Sequence, residues 1–221
     1  ICGLTAHLIL APARHVHHRQ EAVADLYTAM SRRLDDLAEI LDGNTPDTER
    51  VRHWRRDWNE LATEAERIRH TIDAEMENSR LHPRRTTALA TDNALPRARE
   101  AVTIAERTMD HLRSLTRTLY YALDSQEITG LPASFRSACG TLLRTAATAL
   151  EEIGQTSPTD PRHLADLIDD AMAELHRVER HERATAEAEP VVHTLQGTLL
   201  TDISRLLSEL RPGRYATTPA G

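Results

Sequence analysis

Lysine is absent. All 27 residues counted as lysine or arginine are arginine. That usage marks a GC-rich coding sequence rather than a mechanism, and it makes every cation other than histidine a planar, permanently charged guanidinium. Cysteine is almost missing too. Cys2 and Cys139 are too few for a disulfide-stapled secreted fold and form no C-x-x-C pair for zinc. With two Trp, four Tyr and one Phe, the chain is a poor match for an aromatic-rich β-sandwich. A formal net charge of −7 argues against a general nucleic-acid binder, which needs a basic face for phosphates. Long apolar runs are lacking as well. Ile1 to Ala13 carries no charge, but a membrane-spanning helix needs about 20 such residues. What remains is 221 residues, enough for one domain or two small ones with a sizeable core.

The chain begins at Ile1 rather than Met, which is expected of a piece of a longer protein. The apolar run has no basic n-region, so it does not read as a signal peptide. Directly after it come Arg14, His15, His17, His18 and Arg19. An apolar run closed by a basic cluster fits the cytoplasmic end of a transmembrane helix. It fits equally an ordinary N-terminal strand or a buried helix turn.

Beyond that segment the chain reads as helix after helix. Val23, Leu26, Met30, Leu34, Leu37 and Leu41 recur at steps of three and four, one stripe of a helix. Gly43-Asn44 ends it and Thr45-Pro46 restarts. The next stripe is Trp54, Trp58, Leu61, Ala65, Ile68, Ile72 and Met76, and His82-Pro83 breaks it. Arg84 to Pro96 reads as an exposed connection. A third helix carries Val102, Ala105, Met109, Leu112, Leu119 and Leu123, with Thr116 filling the missing step. The segment Ser125 to Pro132 is the best candidate boundary between two helical halves. Leu142, Leu143, Ala146, Leu150 and Ile153 mark a fourth helix, and Gly154 closes it. Asp160-Pro161 opens a fifth with Leu164, Leu167, Ala171, Leu175 and Val178. Pro190 kinks or restarts the chain before a last stripe of Val192, Leu195, Leu199, Ile203, Leu206 and Leu210. No stretch alternates with period two. The fold expected is all-α, a bundle of about six long antiparallel helices. The divisions are a membrane-proximal segment 1–13, helical parts 14–125 and 126–211, and a disordered tail 212–221.

Catalytic chemistry needs convergent polar groups, and the patterns that announce them are missing. There is no P-loop, Rossmann fingerprint, Gly-x-Ser-x-Gly or His-Glu-x-x-His. Glu64, Glu75 and Glu77 do not recur in the Glu-x-x-His pairs of a di-iron bundle. The His15, His17 and His18 run offers poor metal geometry, and membrane-proximal positive charge accounts for it. His181-Glu182-Arg183-Ala184-Thr185 fits the His-Glu-x-x-Thr box that resembles the phospho-acceptor of sensor histidine kinases. The Pro that usually follows that box is absent, and a solvated charged helix face is the simpler account. Trp54 and Trp58 could stack an aromatic ligand, but four residues apart on the seam they suit core or oligomer-interface anchors better. The same holds for Tyr120 and Tyr121.

From Trp58 to Arg85 the stretch WNELATEAERIRHTIDAEMENSRLHPRR resembles a segment of the fusaric acid resistance, or aromatic acid exporter-like (FUSC), membrane proteins of actinobacteria. Those proteins follow a transmembrane helix with a proline-containing basic segment, a long cytoplasmic helix and a Trp-led helix. Ala11-Pro12-Ala13-Arg14 matches the membrane exit. Trp58 stands where the second helix begins its pattern. Glu77, Ser79, Arg80, Pro83, Arg84 and Arg85 match the Glu-x-Ser-x-Arg-x-x-Pro-Arg-Arg-like end, with His82 a departure before the Pro. The helix from Arg97 to Leu123 looks like the next cytoplasmic one, and the resemblance covers residues 1 to 125. On physical grounds Glu77 and Arg80 can pair on one helix face. Arg80, Arg84 and Arg85 then cluster where cations complement a helix C-terminus, or face anionic lipid or an acidic partner.

The expectation is a non-enzymatic cytoplasmic domain of a membrane protein resembling that family, on the inner side of the cell membrane, with no cofactor and no metal. Such a domain assembles subunits and couples or regulates efflux of small organic acids by a membrane part outside this chain. Its partners are then further copies of itself, its own transmembrane domain and inner-leaflet anionic lipid near Arg14 and Arg19. The alternatives are a soluble helical interaction or ligand-binding module and a histidine phosphotransfer bundle using His181.

Overall fold

The computed structural model describes residues 3–43, 48–81, 94–155, 161–184 and 190–211. Six α-helices run through them, with no strand among the described residues: α1 (Gly3–Leu41), α2 (Thr48–Leu81), α3 (Ala94–Asp124), α4 (Ala133–Gly154), α5 (Pro161–Ala184) and α6 (Pro190–Leu210). The expected all-α bundle is the observed one. None of these helices is long and apolar enough to cross a membrane.

The stripes account for the helices. All six residues of the α1 stripe are buried, and so are all six of the α6 stripe. In α5 the buried face is turned slightly from the expected one, since Ile168 is fully buried while Leu164 and Leu167 are only half covered. Gly43 ends α1 with φ of 95°, the left-handed conformation glycine adopts freely, and its N–H donates to the Ile40 carbonyl at 3.0 Å. α1 begins at Gly3 and continues through Pro12, where a membrane exit was expected. α3 begins at Ala94, so Pro96 lies in its first turn instead of the connection. A proline there removes no intrahelical hydrogen bond. The expected tail 212–221 lies outside the described residues.

A short 3₁₀ turn, Glu127–Gly130, joins α3 to α4. It links two up-down-up units of three helices. α2 covers α1 and α3, α5 covers α4 and α6, and the units meet through α1 on α4 and α3 on α6. Cross-helix pairs give the directions. Tyr27 lies against Gly154, and Ser31 Oγ donates to Glu151 Oε1 at 3.0 Å, so α1 and α4 are antiparallel. Arg107 pairs with Glu209 at 3.6 Å and Ser114 Oγ donates to Asp202 at 3.1 Å, which makes α3 and α6 antiparallel as well. One hydrophobic core draws side chains from all six helices. Burial of that apolar surface holds the bundle. The polar pairs at the unit interface fix its register, because a slip would strand buried Ser31, Asp202 and Glu209 without partners.

Candidate functional site

α2 and α3 pack antiparallel, and their contact is built around an indole. Trp58 is 2% exposed, and its Nε1 donates to Thr116 Oγ1 at 2.9 Å. Thr116, the polar residue in the apolar series of α3, is therefore the acceptor that a buried indole requires. Thr116 is likewise only 2% exposed, which makes the bond a dry one. Trp54, one turn earlier, is equally buried, but its Nε1 has no hydrogen-bond partner among the described residues. Both tryptophans are core anchors of α2 rather than an open stacking platform.

Just outside Trp58 the helices leave a recess of about 300 Å³, lined among others by Trp58, Arg113, Arg117, Tyr120 and Tyr121. Arg113, Arg117 and Tyr121 stand four apart and so share one face of α3. The Arg113 guanidinium donates to the Trp58 carbonyl at 3.4 Å and pairs with Asp110 at 3.3 Å, while its Nε is buried without a partner among the described residues. Arg117 is exposed and has no ion pair among the described residues. The Tyr120 and Tyr121 rings meet edge to face, with centroids 5.6 Å apart, and Tyr121 is 62% exposed. Two guanidiniums stand beside aromatic rings here, one of them paired with Asp110, which also lines the recess. Trp58 was an expected binding position, the tyrosine pair was expected as core or interface anchors although Tyr121 is exposed, and Arg113 and Arg117 were not expected at all. Their signal was the four-residue step from Arg113 through Arg117 to Tyr121 on the polar flank of α3.

Of the other expected binding positions only Trp54 and Glu77 have described side chains, and neither lines this recess. Glu77 is exposed on the far part of α2. Arg14, Arg19, Ser79 and Arg80 fall on α1 and α2, but their side chains lie outside the described residues, as do Pro83, Arg84 and Arg85 altogether. His181 is exposed on α5, beside Glu182, whose carboxylate accepts from Gln196 of α6. Among the described residues no group of three or more His, Cys, Asp or Glu is placed to hold a metal ion. Cys139 is buried in α4. Desolvation, with the negative charge of Glu182 second, pushes its thiol up to about 12. It is a packing residue, not a nucleophile.

Comparison with known proteins adds no relative: no family model, no curated protein and no solved structure matches the chain.

Proposed function

We propose that this chain is a non-enzymatic helical domain of a membrane transporter resembling the aromatic acid exporters, where it assembles subunits and couples or regulates efflux of small organic acids. Beside the sequence pattern from Trp58 to Arg85, the single observation that carries this reading is the continuity of α1. Its 39 residues, about 58 Å of helix, run unbroken from the apolar N-terminal segment into the core. Val23 to Leu41 of the same helix are packed against α3 and α4. A rigid helix clamped in a core carries a displacement of its N-terminal part into the bundle. That is the mechanical requirement for a domain that senses or steadies a membrane part. The arginines at 14 and 19 would meet anionic headgroups on the same helix.

Fractionation of the full-length protein is the test. The expected result is sedimentation with membranes that resists an alkaline carbonate wash, and recovery in the soluble fraction overturns the reading. In that event the second reading stands, a soluble module that binds a small anion in the Trp58, Arg113 and Arg117 recess. The feature that favours it is Arg117, exposed, lining the recess beside the tyrosines and without an ion pair among the described residues.

A further inference from the structure

α2 packs closely along α3, through the Trp58 bond and the Arg69–Glu106 and Arg99–Asp73 pairs. Between α2 and α1, in contrast, the surface is recessed. One recess of about 800 Å³ is lined by the outward-facing residues between Ala29 and Asp36 on α1 and between Asp57 and Glu64 on α2. A second of about 440 Å³ is lined by Glu21 to Leu26 and Leu61 to Arg67. The two share Leu61 and Glu64, so they form one trough. From Glu21 to Asp36 it follows α1 for about 22 Å, the length of four helical turns.

The trough has an apolar floor and acidic walls. Ala22, Ala29 and Leu61 are half exposed along its base, over buried Leu26. The first recess carries five carboxylates and two arginines, and the second adds Glu21 and Asp25 with one more arginine. Two of those arginines are already committed. Arg33 bridges Asp57 at 2.6 Å and Asp36 at 3.2 Å, and Arg67 holds Glu64 through two hydrogen bonds. Asp25 and Glu60, in contrast, have no ion-pair partner among the described residues. The surplus in the trough is negative.

We propose that the α1–α2 trough is the docking site for a basic amphipathic helix of a partner protein. The dimensions and the floor suit a helix that lays apolar residues at i, i+3, i+4 and i+7 into a groove. The walls suit arginine or lysine on both flanks of that stripe, and they steer its approach. A second copy of this chain is the poorer occupant. It carries the same net charge of −7, and its helices already turn their apolar stripes into their own core.

The test uses the full chain and a fluorescein-labelled helical peptide of about 16 residues, with leucine on one face and arginine on the flanks. A matching peptide with glutamate flanks is the control. Fluorescence anisotropy should show binding of the first peptide and none of the second. Asp25→Asn with Glu60→Gln should weaken that binding about fivefold or more, and Leu61→Ser should weaken it further. Asp166→Asn with Asp170→Asn, on the exposed face of α5, should leave it unchanged. Binding unaffected by the Asp25 and Glu60 changes overturns the proposal, whatever the fold of the Leu61 variant. So does equal weakening by the α5 changes, which would mean general attraction to a negative protein. A self-associating chain that becomes monomeric with the groove variants overturns it too, by assigning the trough to a second copy.

Discussion

The indole N–H of Trp58 on α2 donates to the hydroxyl of Thr116 on α3 across 2.9 Å, with both residues 2% exposed. The bond decides what each residue is worth. Thr116→Val keeps the volume and removes the acceptor, so a buried donor is left bare at a cost of about 1–3 kcal/mol. Trp58→Phe together with Thr116→Val should cost less than the sum of the two changes, since no orphan remains. Trp54→Phe removes an N–H that already lacks a partner among the described residues, and should destabilise less than Trp58→Phe. Urea denaturation followed by circular dichroism measures all four. A fully additive cycle would mean that the bond does not contribute.

Much of this packing could be read from the residues alone. A buried stripe forces a three- and four-residue recurrence, so Val23 to Leu41 and Val192 to Leu210 were legible helix by helix. Thr116 stood out as a polar step in an apolar series, though its role could not be read without knowing that Trp58 lies opposite. The Arg113–Arg117–Tyr121 face was harder to see, because arginines on a polar flank look alike whether solvated or gathered around a recess. The trough between α1 and α2 was not legible at all. It depends on how far two helices stand apart, a property of the whole bundle that no local pattern records. The close approach of α1 to α4 was hidden for the same reason.

That approach turns on Gly154. A Cβ there would meet the Tyr27 Cβ at 2.6 Å, too near for either helix to accommodate by a side-chain rotation. Gly154→Ala should therefore lower stability by about 1–3 kcal/mol despite the better helix propensity of alanine. Gly197 gives the opposite case. It lies inside α6, exposed, with nothing within 4 Å of the position its Cβ would take. Gly197→Ala should raise stability by about 0.5–1 kcal/mol. Thermal melts of the two variants should move in opposite directions, and movement in the same direction would refute the packing argument.

Asp35, on the wall of the trough, ties stability to pH. Desolvation raises its pKa above the ordinary 3.8, with Glu151 adding to the effect, while Arg144 opposes it. The folded protein thus holds this proton more tightly than the unfolded chain does. Ionised Asp35 opposes folding at neutral pH, and the penalty disappears as pH falls through its raised pKa toward the ordinary value. Asp35→Asn should unfold at a higher urea concentration than the parent at pH 7, and the two midpoints should converge below about pH 4. A gap independent of pH would assign the effect to something other than this carboxylate.

Cys139 acts at the other end of the scale. Its thiol, ordinarily at 9.0, is held up to about 12 by burial and then by Glu182. Below pH 9 the thiol is neutral in both states and contributes no slope. Between 9 and 12 only the unfolded chain ionises it, so stability falls as pH rises through that window. Tyr27, also raised by burial and by Glu100, adds the same sign above its ordinary 10.0. The interval between pH 9 and 10 therefore isolates the cysteine. Denaturation midpoints of the parent should decline there, while those of Cys139→Ala should stay level after a uniform loss for the smaller side chain. In a Cys2→Ser background, a thiol reagent should label Cys139 only as fast as the bundle opens, at a rate that saturates with reagent concentration when reclosing is outpaced. Rapid labelling of the folded chain, proportional to reagent, would show that the thiol is reached without opening the core.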